Sequence, residues 1–249
     1  MTLNHFTSSD GVKLAYRIVG EQNGRDLLLI HGLFSSSEIN WVKFGHAQKL
    51  ADAGFRVIMP DLRAHGASES PHGEEHYPDD ILARDMEELI AHLGLTDYDL
   101  GGFSLGARTS VRFIMRGAKP KRLILGGMGL EGLAGWSKRK KFFLEAIANF
   151  DEVKRGDPHF MAVSFMKTMK VDREAAALLL QTFTDTNPDE LAKVDQPILV
   201  VCGTEDQDNG SAEKLVEALP DAIYAPIPGT HMSSVTEGAM GDAMVKFLA

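Results

Sequence analysis

At 249 residues, 44% of them hydrophobic, the chain can bury one large core, and α/β architectures reach this length as a single domain. The formal net charge of -9 has no basic arm or acidic tail behind it, which leaves no footprint for nucleic acid or for stable membrane association and makes a small molecule the expected partner. One cysteine, Cys202, excludes an internal disulfide and requires no oxidising compartment.

In chain order, "MTLNHFTSSDGVKL" shows neither a basic nor an apolar leader segment, and nowhere do eighteen apolar residues run together, so a soluble cytoplasmic protein is expected. "NHFTSS" and "VKLAYRIVG" read as a hairpin turning at Asp10-Gly11, because Asp-Gly suits the turns that match strand twist. Six compact apolar runs follow: "DLLLIHG", "FRVIMPD", "YDLGGFS", "KRLILGG", "PILVVCG" and "AIYAPIP". Runs of this kind suit strands covered on both faces by helices. Between them lie helical stretches such as Asp79 to Leu93, where Ile81, Leu82, Met86, Leu89, Ile90 and Leu93 fall at helical spacing, and Ser211 to Leu219. The pattern predicts an α/β fold with a doubly wound, mainly parallel sheet.

The interval Met128 to Gln196 breaks the rhythm, with several helical stretches and no strand pattern, more than a crossover needs. It predicts a helical lid, residues 128–196, inserted into a core domain of residues 1–127 and 197–249. The lid segments "KKFFLEAIANF", "HFMAVSFMKTM" and "EAAALLLQTF" are rich in Phe and Met, which either line an adaptable apolar pocket or hold the lid helices together.

The stretch "GGFSLGA" places Ser104 between a strand and a helix, and Gly102-Phe103-Ser104-Leu105-Gly106 fits the G-x-S-x-G nucleophile elbow. Side chains at the two glycines would crowd a sharp strand-to-helix turn that projects a serine hydroxyl at the carboxyl edge of the sheet. A serine hydroxyl is a weak nucleophile at neutral pH and needs a base, a group orienting that base and an oxyanion site. His231, in "PGTHMSS" after the last strand, is the candidate base. Asp206, in "TEDQDNG" after "PILVVCG", is the candidate orienting acid, with Asp208 in reserve. The loop "HGLF" after the first core strand can bring the Leu33 N–H to the same point as the Leu105 N–H, forming the oxyanion site, with His31 bracing the loop. Phe34, Met128, Trp136, Phe165 and Met232 are candidates to line the substrate pocket.

Other features invite functional readings that the sequence does not favour. His72 and His76 have i, i+4 spacing, but Pro71, Gly73 and Pro78 make the stretch a solvated loop, and no metal site is expected. Lys138-Arg139-Lys140-Lys141 reads as the wet face at the start of a lid helix. Cys202 reads as a small buried hydrophobe, and Trp41 as cleft or core. Asn209-Gly210-Ser211 reads as a turn.

With these residues in place the chain resembles the α/β-hydrolase fold superfamily, in the lid-bearing, serine esterase-like group with an His-Gly oxyanion loop, almost from end to end. The order Ser104, Asp206, His231 fits that family, as does its D-x-R-x-x-G-x-S turn at Asp61, Arg63, Gly66 and Ser68, taken as loop architecture. The resemblance implies acyl transfer through an acyl-Ser104 and hydrolysis by a water that His231 activates, with no metal or organic cofactor. Ser104 stands where dehalogenase and epoxide-hydrolase relatives use aspartate, and Leu33 and Phe34 stand where lipase-like relatives have further glycines. A carboxylesterase for small, largely apolar esters is the leading expectation. A lactonase, thioesterase, carbon-carbon bond hydrolase or cofactor-free perhydrolase would keep the same residues, and a small-molecule receptor on this fold is the alternative of another class.

Overall fold

A computed structural model describes residues 2–249. The expected hairpin is β1 (Thr2–Thr7) and β2 (Lys13–Val19), antiparallel, with Gly11 at φ +84° in its turn. The first compact apolar run is β3 (Arg25–Ile30), whose last four residues are buried. A π-helical turn (Glu38–Val42) and α1 (His46–Asp52) lead to β4 (Phe55–Pro60). Then follow α2 (Ile81–Leu93), β5 (Tyr98–Phe103), α3 (Leu105–Met115) and β6 (Leu123–Gly126). The interval expected as a lid holds α4 (Leu130–Ala134), α5 (Trp136–Ala148), α6 (Phe160–Met169), α7 (Arg173–Gln181) and a 3-10 turn at Pro188–Lys193, with no strand. The chain closes with β7 (Ile198–Gly203), α8 (Ala212–Ala218), β8 (Ala222–Ile227), α9 (His231–Ser234) and α10 (Gly238–Leu248).

The eight strands form one sheet in the order β1-β2-β4-β3-β5-β6-β7-β8, antiparallel across β1, β2 and β4 and parallel from β4 onward. One face packs on α2, α3 and α8 through residues such as Leu28, Ile30, Leu89, Val111 and Leu215. The other packs on α1 and α10 through Leu27, Leu29, Leu50, Met240 and Met244. Both faces of the central strands are therefore dry, which is why those strands read as continuous apolar runs. Trp41 is buried in this second layer and does not reach a cleft.

The strand order reverses at β3, which has β4 on one side and β5 on the other. In the β3–β5 register Ile30 lies opposite Gly102, so the loop beginning at His31 and the turn at Ser104 leave the sheet side by side. Open α/β sheets bind ligands at this switch point. The helices after β6 pack beside the loop that follows β3: Trp136, Val163, Met166 and Leu180 cluster with Phe34, and Leu33 leans on the same cluster.

Candidate active site

Ser104 occupies the one-residue junction between β5 and α3, at φ +53° and ψ -111°. A non-glycine residue there stores roughly 1–3 kcal/mol of strain, which the surroundings must hold. They do so by removing every Cβ that would intrude. At Gly102 a Cβ would lie 2.2 Å from the Gly106 carbonyl carbon, and at Gly106 it would lie 2.0 Å from the Ile30 oxygen. The Ser104 N–H is anchored on the Gly126 carbonyl at 2.8 Å, and its own carbonyl accepts from Arg108 N at 3.0 Å, starting the helix.

The loops after β7 and β8 are tied to each other. Asp206 N donates to Gly203 O, and Glu205 N donates to Gly229 O, each at 3.0 Å. The Thr230 side chain accepts from Ser233 N while Ser233 Oγ accepts from Thr230 N, a capping box that fixes His231 as the first residue of α9. The imidazole lies 5.0 Å, centroid to centroid, from the Phe103 ring. Its Nε2 is 3.0 Å from Ser104 Oγ, and its Nδ1 is 2.8 Å from Asp206 Oδ2. All three side chains are buried. Burial raises the Asp206 pKa, but the hydrogen bond and charge of His231, with donations from Asp208 N and Cys202 Sγ, outweigh it and hold the carboxyl below its usual value. Asp208, the reserve acid, is exposed and meets Asp206 through its backbone N–H, not the imidazole through its carboxylate.

Leu33, after β3, and Leu105, the first residue of α3, line the same cleft as the serine. Leu105 N–H is one of the donors a helix start leaves unpaired, and Leu33 N–H has no protein acceptor among the described residues. The loop is braced by two histidines. His31 is fully buried, accepts the Leu62 N–H at Nε2 (2.9 Å) and turns Nδ1 to the Gly32 carbonyl (2.8 Å). His65, which the sequence reading passed over, accepts the Phe34 N–H at Nε2, also at 2.9 Å, where Phe34 sits at φ +58°. Because each Nε2 accepts, both rings are neutral. Burial pushes His31 below its ordinary value and pushes His65 down to about 3.

The Asp61 turn is architecture, as expected. The Asp61 carboxylate accepts from Ser37 N, Ser37 Oγ and Ala67 N and pairs with Arg17 at 3.0 Å. Arg63 bridges Asp85 and Asp10, Ser68 Oγ donates to Asp61 O, and a Cβ on Gly66 would lie 2.5 Å from the Asp61 carboxyl carbon. His72 and His76 are held apart by different acids, Asp172 at 2.8 Å and Asp10 at 3.1 Å.

A narrow cleft of about 20 Å³ opens beside Ser104. Of the five candidate pocket residues it takes in Met128 and Trp136. Phe34 is instead spent packing edge-on against Phe143, Phe165 lies in the same apolar cluster, and Met232 is half exposed outside. The sequence reading missed two polar members. Asn209, read as part of a turn, is buried, donates from Nδ2 to the Gly127 carbonyl at 2.7 Å and lies 3.4 Å from Ser104 Oγ. Arg139, read as part of a wet helical face, turns into the cleft.

A strained serine at the switch point of an eight-stranded, mainly parallel sheet, with an imidazole and a carboxylate in line behind it, defines a hydrolase of the α/β fold. A family described as the alpha/beta hydrolase fold matches residues 27–125, the stretch from β3 through the elbow to β6. The chain is 27% identical to a non-heme haloperoxidase of Rhodococcus erythropolis over 94% of each chain. Among solved structures it is similar to a hydrolase from Pseudomonas aeruginosa PA01 (25% identity, TM-score 0.78, 99% of this chain and 98% of that one). It is similar also to a thermophilic esterase from Thermogutta terrifontis (24% identity, TM-score 0.78, 100% of this chain and 98% of that one). The chain belongs to the α/β-hydrolase superfamily.

Proposed function

We propose that the protein is a serine hydrolase that cleaves small carboxylic esters through an acyl-Ser104 intermediate, with residues 128–196 acting as the lid over the cleft. The observation that carries the reading is the continuous relay from Ser104 Oγ to His231 Nε2 (3.0 Å) and from His231 Nδ1 to Asp206 Oδ2 (2.8 Å). Asp206, kept ionised, holds the Nδ1–H tautomer, so Nε2 is free to take the hydroxyl proton as Oγ attacks the ester carbonyl. The carbonyl oxygen gains negative charge and is met by the N–H groups of Leu33 and Leu105, each such donor being worth on the order of 10²–10³ in rate. His231 returns the proton to the departing alcohol, then activates a water that releases the acid and restores Ser104. The narrowness of the cleft suits short acyl groups.

The similarity to a haloperoxidase supports a second reading of the same machinery. Hydrogen peroxide in place of water would attack the acyl-serine and leave as a peracid, with Ser104 regenerated and no redox partner needed. Hydrolysis of short aryl esters by the wild-type protein and by Ser104→Ala tests the main reading. Loss of turnover in the variant is expected, and equal turnover in both would overturn it.

A further inference from the structure

The cleft beside Ser104 contains two arginines that the relay does not use. Arg108 lies four residues beyond Ser104 on α3, hence on the same helical face. It is 3% exposed. One side of its guanidinium is committed: Nη1 donates to the carbonyls of Gly132 and Leu133, and Nη2 to Thr184 O and to Asp185 Oδ1 at 2.9 Å. Its Nε–H is buried with no partner. Arg139, on the first turns of α5, lines the same cleft. It donates to the carbonyl oxygen of Asp208, packs over the Phe143 ring at 5.8 Å and pairs with no carboxylate among the described residues. Burial lowers its pKa, with the charges of Asp208 and Asp206 acting against this.

Apart from Ser104 and Asn209, the remaining walls, among them Leu33, Met128 and Trp136, are apolar. Asp185 pairs with Arg108, whereas Arg139 has no carboxylate in contact among the described residues and meets the charges of Asp208 and Asp206 only through space. A guanidinium in that position favours a carboxylate, which it binds as a fork. We infer that the substrate is an ester carrying a free carboxylate, such as a half-ester of a short dicarboxylic acid, with Arg139 as the specificity-determining residue and Arg108 as the buried charge behind it. This rests on the reading of Ser104 as nucleophile, and it narrows the expectation of largely apolar esters: the apolar walls take the carbon chain and the arginine takes its charged end.

The test compares monomethyl glutarate with dimethyl glutarate, first as ligands of Ser104→Ala by calorimetry and then as substrates of the wild type. The half-ester is expected to bind at least about tenfold tighter than the diester, a preference that falls about tenfold in Arg139→Gln and is partly restored in Arg139→Lys. Arg155→Gln, an exposed arginine outside the cleft, should leave the preference unchanged. If Arg139 served only to brace the Asp208 carbonyl, its loss would weaken both ligands alike and the ratio would stay constant. Equal binding of the two glutarates to Ser104→Ala overturns the inference without any variant of Arg139. Half-ester binding without turnover by the wild type would instead overturn the esterase reading and leave the anion site standing.

Discussion

Gly106→Ala tests how closely the elbow must approach the oxyanion loop. The added Cβ would lie 2.0 Å from the Ile30 oxygen, 2.5 Å from the Ile30 carbonyl carbon and 2.8 Å from the His31 oxygen. Ordinary contact begins near 3.4 Å, so about 1.4 Å of overlap must be relieved. All three atoms are backbone, and no flexible side chain can swing away. Either β3 or α3 moves, and either movement separates Ser104 from the Leu33 N–H. Overpacking of this kind costs about 3 kcal/mol, and a displacement near 1 Å at the reacting atoms costs about 10²-fold in rate. Gly32→Ala is the internal comparison: its Cβ would meet Phe103 Cδ1 at 3.4 Å and Ser104 Cβ at 3.5 Å, both tolerable. Urea unfolding and the rate of Ser104 acylation should therefore show a large loss of both quantities for Gly106→Ala and a stability change below about 1 kcal/mol for Gly32→Ala. Wild-type stability and acylation in Gly106→Ala would refute the close-approach argument.

Asp206→Asn should lower kcat by about 10⁴-fold through loss of the working tautomer, whereas Asp208→Asn, exposed and touching the relay only through its backbone, should stay within a few-fold; equal losses would mean that the acid is shared. Stability should fall on acidification through the window set by His65. Its folded pKa, about 3, lies below the ordinary value of 6.5, so between these pH values the unfolded chain binds the extra proton and the native state loses ground as pH falls. At pH 4.5 this amounts to about 2–3 kcal/mol from His65, with His31 acting in the same direction. Urea titrations at pH 7 and 4.5 check it, and His65→Asn should flatten the dependence.

The sheet was legible because its central strands are covered on both faces: every compact apolar run, from "DLLLIHG" to "AIYAPIP", is a strand, and "KKFFLEAIANF", "HFMAVSFMKTM" and "EAAALLLQTF" fall on α5, α6 and α7. Ser104, Asp206 and His231 were legible because each follows a recognisable strand at the same edge, where chain order sets the spatial order. The cleft lining was not. Whether Phe34 faces a substrate or Phe143 depends on the rotation of a loop whose φ is positive, and no periodicity encodes that. Arg139 was hidden by its neighbours, since in a run of four basic residues helix rotation alone decides which side chain turns inward. Asn209 and His65 act through backbone partners distant in sequence, Gly127 O and Phe34 N, and such bonds leave no local signature. Cys202 is the buried residue expected, and burial with the neighbouring Asp206 pushes its thiol up to about 12; its contact with that carboxylate follows from lying four residues before it.

In the proposed mechanism Ser104 is a nucleophile only because His231 takes its proton. Labelling of the folded protein with a fluorophosphonate, mapped by mass spectrometry, measures this directly. The predicted result is a single adduct on Ser104 in the wild type that is lost in His231→Ala. An adduct on another residue, or labelling of His231→Ala at the wild-type rate, would contradict it.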